Sequence, residues 1–320
     1  MTFSLPLTYE DALSILKTHD DQLEDLLTMT DELTQRHVGR EVLLCGIVNA
    51  KSGKCSEDCS FCAQSAHHQT EASVYPLMNQ EALQSAQQKA RAEGVSCFSI
   101  VTAGRGAPQG EDFATILNAL SAFEGTYTCT SMGIMTKQQL QALKEAGMDK
   151  YHHNLETARS FFSQMCTTHS YEERVQTIRF AKEVGLQVCS GGIFGLGESL
   201  EQRVELAMEL RELDVDSVPI NIIHPIKGTK VYDHLEPMRP QDILKLLAMF
   251  RWVMPGKIIG IFGGREHNLR EWQPKMFRAG ANAMLIGNYL TTQGNPVDLD
   301  WQLIQSAGRI PKRAILPAEG

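Results

Sequence analysis

The chain has 320 residues, and 42% of them are hydrophobic, which is enough to bury the core of one large domain or two ordinary ones. Its 30 basic and 38 acidic side chains give a formal net charge of −8, so no overall positive charge attracts nucleic acid. No run reaches the roughly 18 apolar residues of a membrane-spanning helix, and residues 1–30 lack the basic start and apolar stretch of a secretion signal. We therefore expect a cytoplasmic protein that binds neither nucleic acid nor a membrane.

Two amphipathic helices are predicted first, at residues 9–19 and 21–37, where apolar residues recur at spacings of three and four. Eight short apolar or β-branched runs, each typical of a strand, follow at residues 43–49, 96–102, 126–131, 150–155, 186–192, 217–223, 257–264 and 282–287. Between most of them lies an amphipathic stretch with a late glycine. Eight strand–helix units predict a (β/α)8 barrel of the TIM type, in the α/β class, with a doubly wound open sheet as the alternative.

No linker rich in proline or serine divides the chain, so we expect one barrel with short extensions. The predicted parts are an N-terminal helical extension at residues 1–40, the barrel at residues 41–290 and a closing segment at residues 291–320. Because chemistry gathers at the carboxyl ends of barrel strands, the loop after the first predicted strand belongs on the functional face.

That loop, residues 51–68, is called the cluster loop below, and it carries three of the eight cysteines. Cys55, Cys59 and Cys62 have the spacing C-x3-C-x2-C. Three thiolates from one loop can bind three irons of a cubane cluster and leave the fourth iron open to a substrate or cofactor. The alternative is structural zinc, with His67 or His68 as the fourth ligand.

The cysteine spacing, with Phe61 before the third cysteine, resembles the signature of the radical S-adenosylmethionine superfamily. Five segments are similar to the biotin synthase family in particular. They are CSEDCSFCAQSAH at residues 55–67, YHHNLET at 151–157, THSYEERV at 168–175, VCSGGIFGLGE at 188–198 and SVPINI at 217–222. Three alternatives stay open: a sister enzyme of the hydrogenase-maturation methylase type, one of the methylornithine synthase type, and a zinc-binding scaffold.

The resemblance implies the reaction and its cofactors. The open iron of a [4Fe-4S] cluster would chelate S-adenosylmethionine, which one electron cleaves to a 5′-deoxyadenosyl radical. That radical would remove hydrogen from dethiobiotin before sulfur insertion closes the ring. The resemblance also implies a homodimer, an electron donor such as flavodoxin or ferredoxin, and cluster-assembly proteins as partners.

The resemblance also assigns roles to individual side chains. Phe61 is expected against the adenine of the cofactor, and Glu156 at its ribose hydroxyls. Arg174 is expected on the methionine carboxylate, with a salt bridge on its own helix as the alternative. Asn154 and Asn221 match the donors and acceptors of the ureido ring of dethiobiotin, and Asn154 is also expected near the cofactor.

Known members of the family hold a second, two-iron cluster inside the barrel with three cysteines and one arginine. Two of those cysteines are present here, as Cys129 and Cys189. The positions of the other two ligands hold Ser99 and Gly260, while Cys97 lies two residues before Ser99. Since side chains alternate faces along a strand, Cys97 stays in the interior but lies about 7 Å from the expected position.

We therefore expect Cys97, Cys129 and Cys189, with Cys45 as a further candidate ligand, to hold an auxiliary iron–sulfur cluster of the four-iron type rather than [2Fe-2S]. Three ligands would leave an iron free to carry an extra sulfide for insertion. Gly260 in place of an arginine also predicts open space in the interior, and Arg265 is expected at the surface or on the substrate side. Two alternatives remain: these cysteines fill the core, or there is no second cluster.

Overall fold

The computed structural model describes residues 3–312, and a ring of parallel strands forms its centre. The strands are β1 (Glu41–Lys51), β2 (Cys97–Thr102), β3 (Tyr127–Ser131), β4 (Lys150–His152), β5 (Gln187–Cys189), β6 (Gly192–Phe194), β7 (Ser217–Ile222), β8 (Ile258–Ile261), β9 (Ala283–Leu285) and β10 (Ile310–Lys312). Pairing runs from β1 to β5, then through β7 and β8 to β9, which pairs with β1. The sheet is therefore closed, which confirms the predicted barrel and excludes the open sheet.

Helices surround the barrel. They are α1 (Tyr9–Leu16), α2 (Leu23–Val38), α3 (Gln80–Ala92), α4 (Glu111–Ser121), α5 (Lys137–Glu145), α6 (Arg159–Met165), α7 (Tyr171–Glu183), α8 (Leu200–Glu212), α9 (Pro240–Val253), α10 (Arg265–Leu269), α11 (Lys275–Arg278) and α12 (Val297–Ser306). Several begin with a capping box, in which Ser170 caps α7 and Ser199 caps α8. None of the helices in residues 3–312 has the length and hydrophobicity needed to cross a bilayer.

The fifth predicted strand is interrupted. The structure divides it into β5 and β6, which both pair with β7. Pro219 of β7 has no backbone N–H to donate at the break, and a Cβ on Gly191 would lie 1.9 Å from the Pro219 carbonyl oxygen. The carbonyl of Gly191 instead accepts from the backbone N–H of Leu155, at 3.0 Å. The segment that follows β4 is therefore hydrogen-bonded to the chain between β5 and β6.

The two N-terminal helices pack against α9. Trp252 of α9 donates its indole N–H to Thr30 of α2 at 3.0 Å, and Asp20, between α1 and α2, contacts Arg239 and Lys245 at 2.9 and 2.6 Å. At the other end of the chain, β10 pairs with the beginning of β1, a strand that the sequence did not predict. Residues 313–320 of the predicted closing segment lie outside the described residues.

Side chains alternate between the two faces of β1, and each face packs into a different hydrophobic cluster. Val42 and Leu44 belong to the large hydrophobic cluster that includes the surrounding helices. Leu43 and Cys45 point to the other face and belong to a separate apolar cluster inside the barrel. The interior of the barrel is thus a distinct compartment, and it includes cysteines.

Candidate active site

A cavity of about 440 Å³ extends from the barrel interior to the loops that follow the strands. Every side chain that the sequence predicts for the site lines it. These are Cys45, Cys55, Cys59, Phe61, Cys62, Cys97, Cys129, Asn154, Glu156, Arg174, Cys189 and Asn221. Residues spread over more than half of the chain therefore line one cavity, which begins inside the barrel and reaches the carboxyl ends of the strands, where such folds place their chemistry.

The cluster loop is folded tightly on itself. The backbone N–H of Cys55 donates to Gln64 at 3.0 Å, and the carbonyl of Cys55 accepts from Ala66 at 2.8 Å. A turn joins the Cys62 N–H to the Cys59 carbonyl at 3.0 Å. All three cysteine side chains face the same cavity, which suits three ligands of one cubane cluster. Burial raises the pKa of the Cys62 thiol to about 11. Without a bound metal, the neutral thiol is therefore favoured over the thiolate.

Asp58 ties the cluster loop to the segment that follows α6. One oxygen of its carboxylate accepts from the backbone N–H groups of Thr167 and Thr168 at 2.8 and 3.2 Å. Burial alone would raise the pKa of Asp58, but these hydrogen bonds outweigh it and hold the pKa well below its ordinary value. The loop that presents the three cysteines is thereby fixed by a carboxylate that stays ionised.

Cys166, which the sequence gave little reason to consider, lies behind the cluster loop. Its sulfur is 3.8 Å from the sulfur of Cys59 and 3.3 Å from Nδ1 of His169. The ligand atoms of Cys59, Cys166 and His169 all lie within 4.8 Å of one another. Cys166 does not line the cavity, so it supports Cys59 from outside the cluster pocket.

His67 and His68, the candidate fourth ligands of a zinc site, contact backbone carbonyl groups instead. The ring of His67 contacts the carbonyl of Ser56 at 3.0 Å, and the ring of His68 contacts the carbonyl of Cys62 at 2.9 Å. Neither histidine lines the cavity. The arrangement therefore gives no support to a zinc site completed by either residue.

Arg174 is bonded across the site rather than along its own helix. Its Nη1 donates to the carbonyl of Asn154 at 2.8 Å and lies 3.4 Å from the carboxylate of Glu156. Its Nε donates to His169 at 2.9 Å. Glu156 has a φ of 71°, a left-handed conformation that a non-glycine residue rarely adopts and that often marks a functional site. Arginine and carboxylate are thus held together at the cavity wall.

The two predicted substrate amides also brace the backbone. Asn154 accepts from the N–H of Gly191 at 3.1 Å. Asn221 donates to the Gly192 carbonyl at 3.2 Å and accepts from the Gly263 N–H at 2.9 Å. A side-chain amide has two N–H donors and an oxygen with two lone pairs. The Asn154 oxygen also contacts the ring of His152 at 3.1 Å, and its amide donates to Glu156 at 3.4 Å. Asn154 therefore keeps one N–H for a ligand, and Asn221 keeps one N–H and one lone pair, while both orientations are fixed.

The four cysteines inside the barrel, called the barrel cysteines below, line the inner part of the cavity. They are Cys45, Cys97, Cys129 and Cys189, and all are buried. Cys45 and Cys97 are register partners on adjacent strands, as are Ser99 and Cys129. Because register partners share a face of the sheet, these side chains point into one chamber.

The same chamber holds two buried hydroxyl groups. The Oγ atoms of Ser99 and Ser217 make no well-directed hydrogen bond within residues 3–312, but each lies beside a thiol, that of Cys129 or Cys189 respectively, and acts to lower its pKa; both residues line the cavity. A buried polar group normally has a partner, and an ordinary apolar core would not need either hydroxyl. Cysteine ligands with spare donors beside them fit an iron–sulfur cluster, whose sulfurs accept hydrogen bonds.

The expectation of open space at Gly260 is wrong. A Cβ at this position would lie 1.9 Å from the carbonyl oxygen of Ala283, because β8 and β9 approach closely where the two residues pair. The backbone of β9 fills the volume that a side chain would need. An arginine ligand at residue 260 is therefore excluded by sterics unless β9 moves.

Lys150 is a second feature that the sequence did not reveal. It begins β4, is only 4% exposed and lines the same cavity as the barrel cysteines. Burial lowers its pKa, but the negative charge of nearby cysteine thiolates, foremost Cys97 and Cys189, outweighs this effect and raises the pKa. A smaller cavity of about 240 Å³ reaches Lys150 and Cys97 from the amino-terminal end of the barrel.

Two family models match the chain. The Radical SAM superfamily model matches residues 50–210, and the Biotin and Thiamin Synthesis associated domain matches residues 219–310. The first match includes the cluster loop and Arg174. Together with the closed parallel barrel, it makes the chain an enzyme of the radical SAM superfamily that uses a [4Fe-4S] cluster and S-adenosylmethionine.

Sequence relatives narrow the class further. The chain is 48% identical over 299 residues to a biotin synthase of Geotalea daltonii, covering 92% of this chain and 91% of the relative. It is 47% identical over 303 residues to a biotin synthase of Pelotomaculum thermopropionicum, covering 94% of each. The chain belongs to the biotin synthase family, which confirms the resemblance seen in its sequence and makes it a sulfur-inserting enzyme.

Similar solved structures share the fold. Methylornithine synthase (PylB) matches with a TM-score of 0.84 at 18% identity, covering 96% of this chain and 94% of that chain. The hydrogenase maturase HydG from Carboxydothermus hydrogenoformans matches with a TM-score of 0.81 at 15% identity, covering 96% and 76%. At these identities the likeness shows a common architecture, and the sequence relatives decide between biotin synthase and the sister enzymes.

Proposed function

We propose that the cavity works as a biotin synthase site with two iron–sulfur clusters, in which Cys55, Cys59 and Cys62 hold the [4Fe-4S] cluster and three barrel cysteines, Cys97, Cys129 and Cys189, hold the auxiliary cluster, with Cys45 as a further candidate ligand. The observation that carries this is the arrangement of seven cysteines along one cavity in two groups. When bound, the first cluster with S-adenosylmethionine supplies the radical chemistry that no side chain can provide, and the auxiliary cluster supplies sulfur.

The chain's own side chains position the reactants. Arg174, fixed by Glu156 and His169, has its Nη2 group free of hydrogen bonds within residues 3–312 and can bind the carboxylate of the cofactor's methionine moiety. Glu156 can accept hydrogen bonds from the ribose, and Phe61 offers an aromatic surface to the adenine. These groups lie on the wall nearest the cluster loop and therefore suit the cofactor rather than the substrate.

Dethiobiotin fits the polar groups that remain. Its cyclic urea has two N–H donors and a carbonyl acceptor, and the amides of Asn154 and Asn221 offer both kinds of group. The two asparagines lie between the cofactor end of the cavity and the barrel cysteines. A substrate held there has the radical source on one side and the sulfur source on the other.

Four irons suit the auxiliary site better than two. Register places Cys45 beside Cys97, and Ser99 beside Cys129, so the thiols are spread over two levels of the barrel. The arginine ligand of a two-iron cluster cannot be built at Gly260. A larger cluster spans the two levels, and with three cysteine ligands it retains an iron for an extra sulfide.

The reaction also needs an external source of single electrons. A flavodoxin or ferredoxin is the expected donor, and cluster-assembly proteins are expected to rebuild the auxiliary cluster after its sulfur is used. These partners accord with a cytoplasmic enzyme, and we expect it to act as a homodimer.

Iron and acid-labile sulfide per chain test the proposal on anaerobically reconstituted protein. We expect about eight irons in the parent and about four in a Cys97→Ala, Cys129→Ala double variant. Cys166→Ser serves as the control for the auxiliary irons, because this buried cysteine lies outside the cavity and beside Cys59 rather than the barrel cysteines, so its loss should leave the auxiliary cluster in place.

Other outcomes are equally informative. About six irons falling to about four would identify a two-iron auxiliary cluster despite the altered ligands. About four irons in both proteins would remove the auxiliary cluster and the case for these cysteines as sulfur-donor ligands. A loss of about four irons in Cys166→Ser would show that the first cluster depends on the contact between Cys166 and Cys59.

A further inference from the structure

Lys150 is a buried cation without an anionic partner in residues 3–312. Lys150 is only 4% exposed. No carboxylate or carbonyl oxygen of residues 3–312 accepts a hydrogen bond from its ammonium group. The neighbouring carboxylate of Asp149 accepts instead from the backbone N–H of Thr128, at 2.7 Å. Burial of an unpaired charge is costly, so the position of Lys150 needs an explanation.

Lys245 shows how this fold treats another buried lysine. It is also 4% exposed, but its ammonium contacts the carboxylate of Asp20 at 2.6 Å. Lys150 has no such carboxylate within the described residues. It lines the same cavity as the four barrel cysteines.

The backbone register fixes the direction of the Lys150 side chain. Lys150 pairs with Cys129 on β3, and two residues later His152 pairs with Cys189 on β5. Register partners point to the same face of the sheet, and Lys150 lines the cavity of the barrel cysteines as well as the smaller cavity at the amino-terminal end, so its side chain enters their chamber. Cysteine thiolates and sulfides give an iron–sulfur cluster a negative charge, and a compact ammonium with three donors suits such an anion.

We propose that Lys150 is the counter-charge of the auxiliary cluster, where its ammonium donates hydrogen bonds to cluster sulfur and raises the reduction potential. This inference rests on the proposed auxiliary cluster. A side chain at residue 260 is excluded by β9, and Lys150 supplies from β4 the positive charge that β8 cannot hold. Charge and hydrogen bonds at the sulfurs are known determinants of cluster potential.

Replacement of Lys150 by residues that differ in charge tests the proposal. Lys150→Met removes the ammonium while keeping most of the side-chain volume, and Lys150→Arg keeps a positive charge. Lys245→Met is the matched control, since it removes an equally buried lysine far from the cysteines. Each is measured in the full-length protein, for iron and sulfide content and for cleavage of S-adenosylmethionine, with circular dichroism as the check on folding.

The auxiliary potential is measured in a Cys55→Ser, Cys59→Ser background that lacks the first cluster, so that the two signals do not overlap. We expect Lys150→Met either to lose the auxiliary irons while keeping the first cluster, or to keep them with a more negative midpoint potential. Lys150→Arg should retain the irons with a potential nearer to that of the parent, and Lys245→Met should match the parent in both.

Two results would overturn the proposal. One is a Lys150→Met protein with the iron content and potential of the parent. The other is loss of the auxiliary irons in Lys150→Arg to the same extent as in Lys150→Met, because that would assign Lys150 a packing role. A parent chain with only about four irons would instead refute the auxiliary cluster itself, so the two failures are distinguishable.

Discussion

Gly260→Ala should destabilise the barrel strongly, although it adds a single methyl group. The new Cβ would lie 1.9 Å from the Ala283 carbonyl oxygen, about 1.5 Å inside ordinary van der Waals contact. Relief requires β8 and β9 to separate at the Gly260–Ala283 pair. Overpacking costs about 1–3 kcal/mol and each disturbed backbone hydrogen bond about 1 kcal/mol, so we expect a loss of about 3 kcal/mol.

Thermal unfolding of the reconstituted protein measures this effect. At roughly 2 °C per kcal/mol for a chain of this size, the midpoint should fall by about 6 °C. Gly256→Ala is the control, because its Cβ would meet no heavy atom within 4 Å and its φ is not positive; its midpoint should stay the same or rise slightly. Equal midpoints for the two variants would refute the steric exclusion at residue 260 and reopen that position to a ligand.

Two further predictions concern the cavity wall and the cluster loop. Asn154→Ala and Asn221→Ala should each weaken dethiobiotin binding about tenfold and abolish its stimulation of S-adenosylmethionine cleavage; normal stimulation in both would disprove the amide assignment. Asp58→Asn should lower the free energy of unfolding at pH 7 by about 1–2 kcal/mol, since it loses charge-assisted hydrogen bonds. Because the folded pKa of Asp58 is depressed, its carboxylate stabilises the fold above the ordinary value of 3.8 and loses this effect as the pH falls through the folded pKa. Thermal unfolding followed by circular dichroism should therefore show a lower midpoint for the variant than for the parent, and this difference should persist from pH 7 to pH 4 and become smaller in stronger acid. A difference that stays the same in stronger acid would exclude the Asp58 carboxylate as its cause.

Local pattern was sufficient to predict the barrel. The barrel strands are short runs of apolar or β-branched residues, and most of the helices between them have an apolar face and defined ends, so periodicity locates them. The interruption between β5 and β6 could not be predicted, because it depends on Pro219 of a different strand lying opposite Gly191. The pairing of β10 with β1 is likewise a contact between distant parts of the chain.

The cysteines of the site were predictable because their spacing and parity along strands are properties of the sequence. The role of a charged residue was not predictable, because it depends on which distant residues pack against its side chain. Arg265, expected at the surface or on the substrate side, is fully buried and contacts Asp300 at 2.9 Å, so that expectation is wrong. Lys150, in contrast, is buried among thiols without a carboxylate contact in residues 3–312.

The short segment between β5 and β6 links the two ends of the cavity. It begins directly after Cys189, and within a few residues Gly191 donates to the side chain of Asn154 and Ile193 donates to the carbonyl of Glu156, at 3.1 and 2.7 Å. These two hydrogen bonds attach Asn154 and Glu156, at the proposed cofactor end, to the backbone that leads directly from Cys189. One short stretch of backbone therefore fixes the spacing between the two proposed cluster sites.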